Sequence, residues 1–268
     1  MTEAERKQII ALVQREVVPA IGCTEPIAVA LCVAKATEAL GAKPEKIDVL
    51  LSANILKNAM GVGIPGTGMI GLPIAIALGA LIGKSEYQLE VLKDSNPAAV
   101  EEGKRFIGEK RIDISLKKNI TEKLYIEVCC KSGGNKATAI IAGGHTTFIY
   151  IARNGDVLLN KQSAGCGEEE AQVAGLTLRK VYDFAMNAPL DEIRFILETA
   201  RLNKAAAERS FDGNYGHGLG RMLRGNYEHK ILGDSVFSHI LSYTSGACDA
   251  RMAGAMIPVM SNSGSGKK

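Results

Sequence analysis

A cysteine stands directly before a predicted helix in the segment Gly22-Cys23-Thr24-Glu25-Pro26. A proline is well tolerated in the first turn of a helix, and Gly22 permits close approach of another backbone segment. The positive end of a helix dipole lowers the pKa of a thiol placed there, which favours the basic, nucleophilic thiolate. The same residue types also fit a small buried side chain at a helix start, with no chemical role.

A second candidate segment lies near the other end of the chain. It runs from Cys248-Asp249-Ala250-Arg251 through Ile257-Pro258-Val259-Met260 to Ser261-Asn262-Ser263-Gly264-Ser265-Gly266. Alternating serine and glycine can form a concave nest of backbone N–H groups and hydroxyls, which suits a carboxylate. Alternatively, glycine and serine near a terminus form a flexible linker.

Together these two segments resemble the iron–sulfur L-cysteine desulfidases, which are related to the alpha chain of bacterial L-serine dehydratase. Those enzymes eliminate the β-substituent of an L-amino acid without pyridoxal phosphate. L-Cysteine gives pyruvate, ammonia and sulfide, and L-serine gives pyruvate and ammonia. The resemblance implies that Cys23 is the catalytic base that removes the Cα proton.

The resemblance also implies the residues that bind the small L-amino acid. The serine-glycine segment would hold its carboxylate, and the loop at residues 65–68 would form part of the active-site wall. The implied substrate-binding residues are Pro65, Gly66, Thr67, Ser261, Asn262, Ser263, Gly264 and Ser265.

In the full-length family a [4Fe-4S] cluster held by three cysteines acts as the Lewis acid, and those cysteines lie beyond the serine-glycine segment. This chain resembles only the N-terminal part of a family member, and none of its six cysteines matches the ligand motifs. We therefore expect no metal ligands and no bound cofactor in this chain alone, and no activity without the missing half. The competing hypothesis is a non-catalytic module or subunit that needs a partner to supply that half.

A third hypothesis rests on Gly61-Val62-Gly63-Ile64-Pro65-Gly66, which matches the glycine pattern of dinucleotide-binding loops, with Asp94 as a possible ribose ligand. A strand should lead directly into such a loop, and residues 54–60 do not show a strand pattern. Three further residues, His145, His217 and Arg251, are candidate ligands, bases or ion-pair partners, and the sequence does not choose between these roles and structural ones.

The sequence predicts an α+β fold in three parts. Residues 1–110 are mainly helical, with apolar helices over 27–40 and 69–82 and a strand over 47–52. Residues 111–160 carry alternating and β-branched segments with a hairpin turn at 153–156, which indicates an antiparallel β subdomain. Residues 161–268 are helical again, with one helix over 227–243, and resemble the start of the dehydratase alpha-type catalytic domain.

Composition narrows the range of partners. The chain has 268 residues, of which 46% are hydrophobic, with 32 basic and 29 acidic residues and a net charge of +3. Such a balanced surface favours neither nucleic acid nor a membrane as partner. The first residues have no apolar segment of a secretory signal, so we expect a cytoplasmic protein. Helices that are apolar on all faces must be buried against other protein surfaces, and we therefore expect a homo-oligomer.

Overall fold

A computed structural model describes residues 1–161, 175–225 and 233–262 of the chain. They form an α+β fold. The α-helices are α1 (Glu3–Glu16), α2 (Thr24–Leu40), α3 (Ala53–Ala59), α4 (Leu72–Leu81), α5 (Pro97–Gly108), α6 (Leu178–Asn187), α7 (Leu190–Ile193), α8 (Leu197–Asp212), α9 (Leu219–Arg224) and α10 (Val236–Met252). The strands are β1 (Val17–Ile21), β2 (Lys46–Leu51), β3 (Ile112–Leu116), β4 (Tyr125–Ser132), β5 (Asn135–Ala142), β6 (Phe148–Arg153), β7 (Asp156–Asn160) and β8 (Pro258–Asn262).

Helix α2 is the centre of the core. It starts directly after Cys23 and ends at Gly41, whose φ of 74° closes the helix as a left-handed cap. Most of its residues are buried, because it packs against α4 on one side and against β4 and β5 on the other. The contact with α4 is so close that a side chain at Gly79 would lie 2.6 Å from the carbonyl oxygen of Ala30. The helix with apolar residues on all faces is therefore covered within this chain.

Six strands form one mixed sheet in the order β3-β2-β4-β5-β6-β7. Neighbouring strands are antiparallel except β2 and β3, which run parallel with Ile47 opposite Ile112. The strands predicted over 111–160 are present, but the sheet also includes β2 from the preceding part of the chain. Strand β2 joins them because alternate residues, Ile47, Val49 and Leu51, are buried against the core.

A separate two-stranded ribbon joins the start of the chain to its end. Strands β1 and β8 are antiparallel, with Ile21 opposite Pro258 and Val18 opposite Ser261. The helix predicted over 227–243 lies instead at 236–252, where Ser235 and Ser238 form a capping box that fixes its start. Residues 226–232 lie outside the described ranges. Within those ranges, no helix combines the length and hydrophobicity needed to cross a bilayer.

Candidate functional site

The first turn of α2 carries a buried thiol–carboxylate pair. The Sγ atom of Cys23 donates a hydrogen bond to Oε2 of Glu25 at 3.0 Å, and each residue is only 7% exposed. The same carboxylate accepts hydrogen bonds from Thr24 Oγ1 at 3.2 Å and from Asn58 Nδ2 at 3.3 Å. A carboxylate at the N-terminal end of a helix is favoured by the helix dipole, so this pair is held in place by its surroundings.

The expectation of a lowered thiol pKa at Cys23 is wrong. Burial, and then the charge of Glu25 and the hydrogen bond to it, raise the pKa of Cys23 to about 12, which outweighs the opposing effects of the Glu25 backbone N–H and of Arg251. Burial also acts to raise the pKa of Glu25, but the hydrogen bonds that the carboxylate accepts from Cys23 and the backbone bring it below its ordinary value. At neutral pH the proton therefore stays on the sulfur and Glu25 is ionised.

Two further polar side chains from distant parts of the chain complete this group. Arg251, in the last turn of α10, is 7% exposed, and its Nε donates to the carbonyl oxygen of Gly22 at 2.9 Å. His145, in the turn between β5 and β6, is partly buried. Burial lowers the pKa of His145, Glu25 acts in the opposite direction, and Arg251 lowers it further. We call Cys23, Glu25, Asn58, His145 and Arg251 the Cys23 cluster.

The glycine-rich loop at residues 61–68 lies against this cluster. A side chain at Gly22, where φ is +80°, would come within 2.5 Å of Pro65, so Pro65 is placed directly beside the segment that carries Cys23. Gly66 N–H donates to the carbonyl of Gly254 at 3.2 Å. The Thr67 hydroxyl donates to the carbonyl of Ile64 at 2.8 Å, which makes it part of the turn itself.

The serine-glycine segment is only partly described. Ser261 lies in β8 opposite Val18, and its buried Oγ has no hydrogen-bond partner among the described residues. Ile21, which leads into Cys23, pairs with Pro258 at one end of the ribbon. Ser261 lies three residues, about 10 Å, away from that end. Asn262 ends the strand opposite Val17. Ser263, Gly264 and Ser265 lie outside the described residues.

The remaining candidate, His217, is held through its backbone N–H. Asp249 accepts hydrogen bonds from the backbone N–H groups of His217 at 3.2 Å and Gly220 at 3.0 Å, so it fixes the loop before α9. His217 itself is exposed.

A surface cleft of about 410 Å³ is lined by Ala205, Arg209, Tyr215, Met256 and Ile257. No member of the Cys23 cluster belongs to that lining.

The described cysteines do not fit an iron–sulfur cluster. Cys32 is fully buried and donates to the carbonyl of Ala139 at 3.3 Å, Cys130 contacts Thr37, and Cys248 is exposed on α10. In the ranges that the structure describes, no three His, Cys, Asp or Glu residues lie where they could hold a metal together.

The dinucleotide-type glycine pattern does not occupy the setting that such a loop requires. The segment before Gly61 is helix α3 and not a strand. The N–H of Gly63 donates to the carbonyl of Met252 at 2.9 Å, and Gly66 N–H is bonded to Gly254. These N–H groups are therefore bonded within the chain, whereas a dinucleotide-binding loop must offer its N–H groups to the pyrophosphate.

Sequence reasoning missed the part played by Glu25 and Asn58 and left Arg251 undecided. The sequence contains one signal for the role of Glu25. It is an ionisable residue at the start of an otherwise apolar helix, and a carboxylate buried there needs hydrogen-bond partners. Asn58 and Arg251 carry no such local signal, because they reach the cluster only through the tertiary fold.

Comparison with curated proteins finds longer relatives that carry the name UPF0597 protein. The relative from Bacteroides fragilis is 81% identical over 268 residues, which are 100% of this chain and 63% of the relative. The relative from Bacteroides thetaiotaomicron is 76% identical over 268 residues, again all of this chain and 62% of the relative. That from Chromobacterium violaceum is 44% identical over 262 residues, 97% of this chain and 61% of the relative.

The chain therefore spans less than two thirds of the length of these relatives. No family model matches the chain. No solved structure matches it either.

Proposed function

We propose that this chain is the proton-abstracting part of a lyase that eliminates the β-substituent of a small L-amino acid. The reaction is of the L-cysteine desulfidase and L-serine dehydratase type, and gives pyruvate and ammonia, with sulfide from L-cysteine. The observation that carries the proposal is the buried hydrogen bond between Cys23 and Glu25. It joins the residue that the resemblance selects as base to a carboxylate able to take its proton.

The raised pKa of Cys23, together with its hydrogen bond to Glu25, favours a relay over a free thiolate. Because the pKa of Cys23 is raised to about 12, the free thiolate is scarce at neutral pH. In the relay, the Cα–H bond breaks and its proton goes to Cys23 Sγ, while the proton already on Sγ passes to Glu25 Oε2. The electron pair left on Cα forms the Cα–Cβ double bond, and the Cβ–sulfur bond breaks to release hydrosulfide. Tautomerisation and hydrolysis of the product then give pyruvate and ammonia.

Departure of the leaving group is assisted in the resembling enzymes by a [4Fe-4S] cluster, which supplies a Lewis acid when bound. The described cysteines are not arranged to hold one. The proposal therefore assigns the cluster ligands to the part of the relatives that this chain does not cover, which amounts to 37% of the Bacteroides fragilis protein (100% less the 63% covered).

We further propose that the protein is cytoplasmic and that it self-associates. A row of apolar side chains on one face of α6 is exposed: Leu178 at 85%, Val181 at 47%, Tyr182 at 63% and Met186 at 64%. Spacing of three and four residues makes this row continuous, as expected of a helix face that is covered in an assembly. Sedimentation velocity should show an oligomer at micromolar concentration, and a monomer throughout would contradict this part.

An activity assay tests the proposal. A chimaera in which this chain replaces the matching part of the Bacteroides fragilis relative should release sulfide and pyruvate from L-cysteine, or pyruvate from L-serine, under anaerobic conditions. The Cys23→Ala chimaera should lose this activity, and the exposed Cys248→Ala should retain it. Strong activity from the 268-residue chain alone, without iron, would contradict the account. A chimaera that contains the cluster but releases no pyruvate would favour the non-catalytic subunit.

A further inference from the structure

Arg251 holds a buried donor that no group of the described residues accepts from. Its Nε is bonded to the carbonyl oxygen of Gly22, while Nη2 is buried and has no hydrogen-bond partner within residues 1–161, 175–225 and 233–262. A buried guanidinium N–H without an acceptor is costly, because it has lost water and gained nothing in return. Such a donor is expected where an external acceptor completes the site.

The carboxylates near Arg251 are already engaged elsewhere. Glu25 accepts hydrogen bonds from Cys23, Thr24 and Asn58. Asp249, two residues before Arg251, accepts those of His217 and Gly220. The positive charge of Arg251 is felt by Cys23 and by His145, whose pKa values it lowers, but no carboxylate of the described residues forms a salt bridge with it.

The position of the guanidinium is fixed from both sides. The backbone on its C-terminal side is held by the hydrogen bonds from Gly63 to Met252 and from Gly66 to Gly254. The bond from Nε to Gly22 holds the side chain beside the residue that precedes Cys23. Such a preorganised planar guanidinium suits a carboxylate.

We infer that Arg251 binds the α-carboxylate of the small L-amino acid through Nη2 and so places the Cα–H bond at Cys23. This inference rests on the proposed function and names the group that orients its substrate. Ser261 pairs with Val18, three residues along the ribbon from Ile21, whereas the side chain of Arg251 is bonded to Gly22, the residue directly before Cys23. Because Arg251 and Cys23 are both 7% exposed, the surrounding loops must open to admit the ligand.

Binding of an unreactive ligand tests the inference apart from catalysis. L-Alanine has no β-leaving group, and L-alaninamide also lacks the carboxylate. In calorimetric titrations of the chimaera, L-alanine should bind more tightly than L-alaninamide. Arg251→Gln should weaken L-alanine binding at least tenfold and abolish the difference between the two ligands, whereas Arg251→Lys should lose less. The matched control is Arg209→Gln, which removes an exposed arginine from the surface cleft and should change nothing.

If Arg251→Gln does not fold, the inference can still be tested on the chimaera that retains Arg251. The NMR signal of the Arg251 Nε–H group should shift on addition of L-alanine and not of L-alaninamide. Equal affinity of wild type and Arg251→Gln, no binding of L-alanine by wild type, or loss of binding in Arg209→Gln would each overturn the inference. Arg251-dependent binding without lyase activity would refute the proposed function alone, and lyase activity with unchanged KM in Arg251→Gln would refute this inference alone.

Discussion

The thiol of Cys23 donates a hydrogen bond to the carboxylate of Glu25 across 3.0 Å, at the start of the buried helix α2. Two residues apart in sequence, they are brought together by the start of α2, where Cys23 is the N-cap residue but caps no backbone N–H with its own side chain. The sulfur is therefore free to bond to the carboxylate. This relationship determines both the protonation of the site and its proposed chemistry.

Replacement of Glu25 by glutamine should make Cys23 more reactive. The charge of Glu25 is, after burial, the largest cause of the raised thiol pKa. Its removal should lower that pKa by about one unit and increase the alkylation rate of Cys23 about tenfold near pH 9. Iodoacetamide labelling followed by mass spectrometry of each cysteine peptide, over a range of pH, measures this. In the wild type, exposed Cys248 should react well before Cys23.

The matched control for this experiment is Glu101→Gln, since Glu101 is exposed and pairs only with Lys104 in the described structure. It should leave the labelling of Cys23 unchanged. A Glu25→Gln protein in which Cys23 reacts at the wild-type rate, or more slowly, would show that the carboxylate does not control the thiol.

Gly63→Ala should destabilise the protein and loosen the Cys23 cluster. A Cβ atom at Gly63 would lie 2.4 Å from the backbone carbonyl of Ala253, and backbone cannot move aside as a flexible side chain can. The loop and the end of α10 must separate, which breaks the bond from Gly63 to Met252 and releases the segment that positions Arg251. We expect a loss of about 1–3 kcal/mol in the free energy of unfolding.

Gly61→Ala provides the control, because a side chain there meets no atom within 4 Å. Urea unfolding of both variants measures the difference. Similar stability of Gly61→Ala and Gly63→Ala would mean that the loop does not press against α10 in solution.

Local signals in the sequence predicted much of the fold. The bounds of α2 follow from Pro26 and Gly41, and the hairpin between β6 and β7 from Asn154 and Gly155, whose φ values of 52° and 97° fit the primed turn that an Asn-Gly pair favours. The insertion of β2 between β3 and β4, and the pairing of β1 with β8, depend on contacts between distant segments. No local pattern encodes those contacts.

The candidate site, like the fold, was predictable from local sequence signals only in part. Cys23 could be selected from its motif, but the sign of its pKa shift was predicted incorrectly, because the helix dipole was considered without burial and without Glu25. Arg251 could not be assigned, since its partner Gly22 is 229 positions away in the chain. Placement of Arg251 beside Cys23 required the tertiary structure.

The central claim is that Cys23, coupled to Glu25, removes the Cα proton of an L-amino acid. Exchange of the Cα hydrogen of L-alanine in D₂O, followed by proton NMR, isolates that step because alanine has no β-leaving group. The chimaera should exchange this hydrogen, Cys23→Ala should slow the exchange by at least about 10²-fold, and Cys248→Ala should not affect it. Exchange by Cys23→Ala at the wild-type rate would contradict the account.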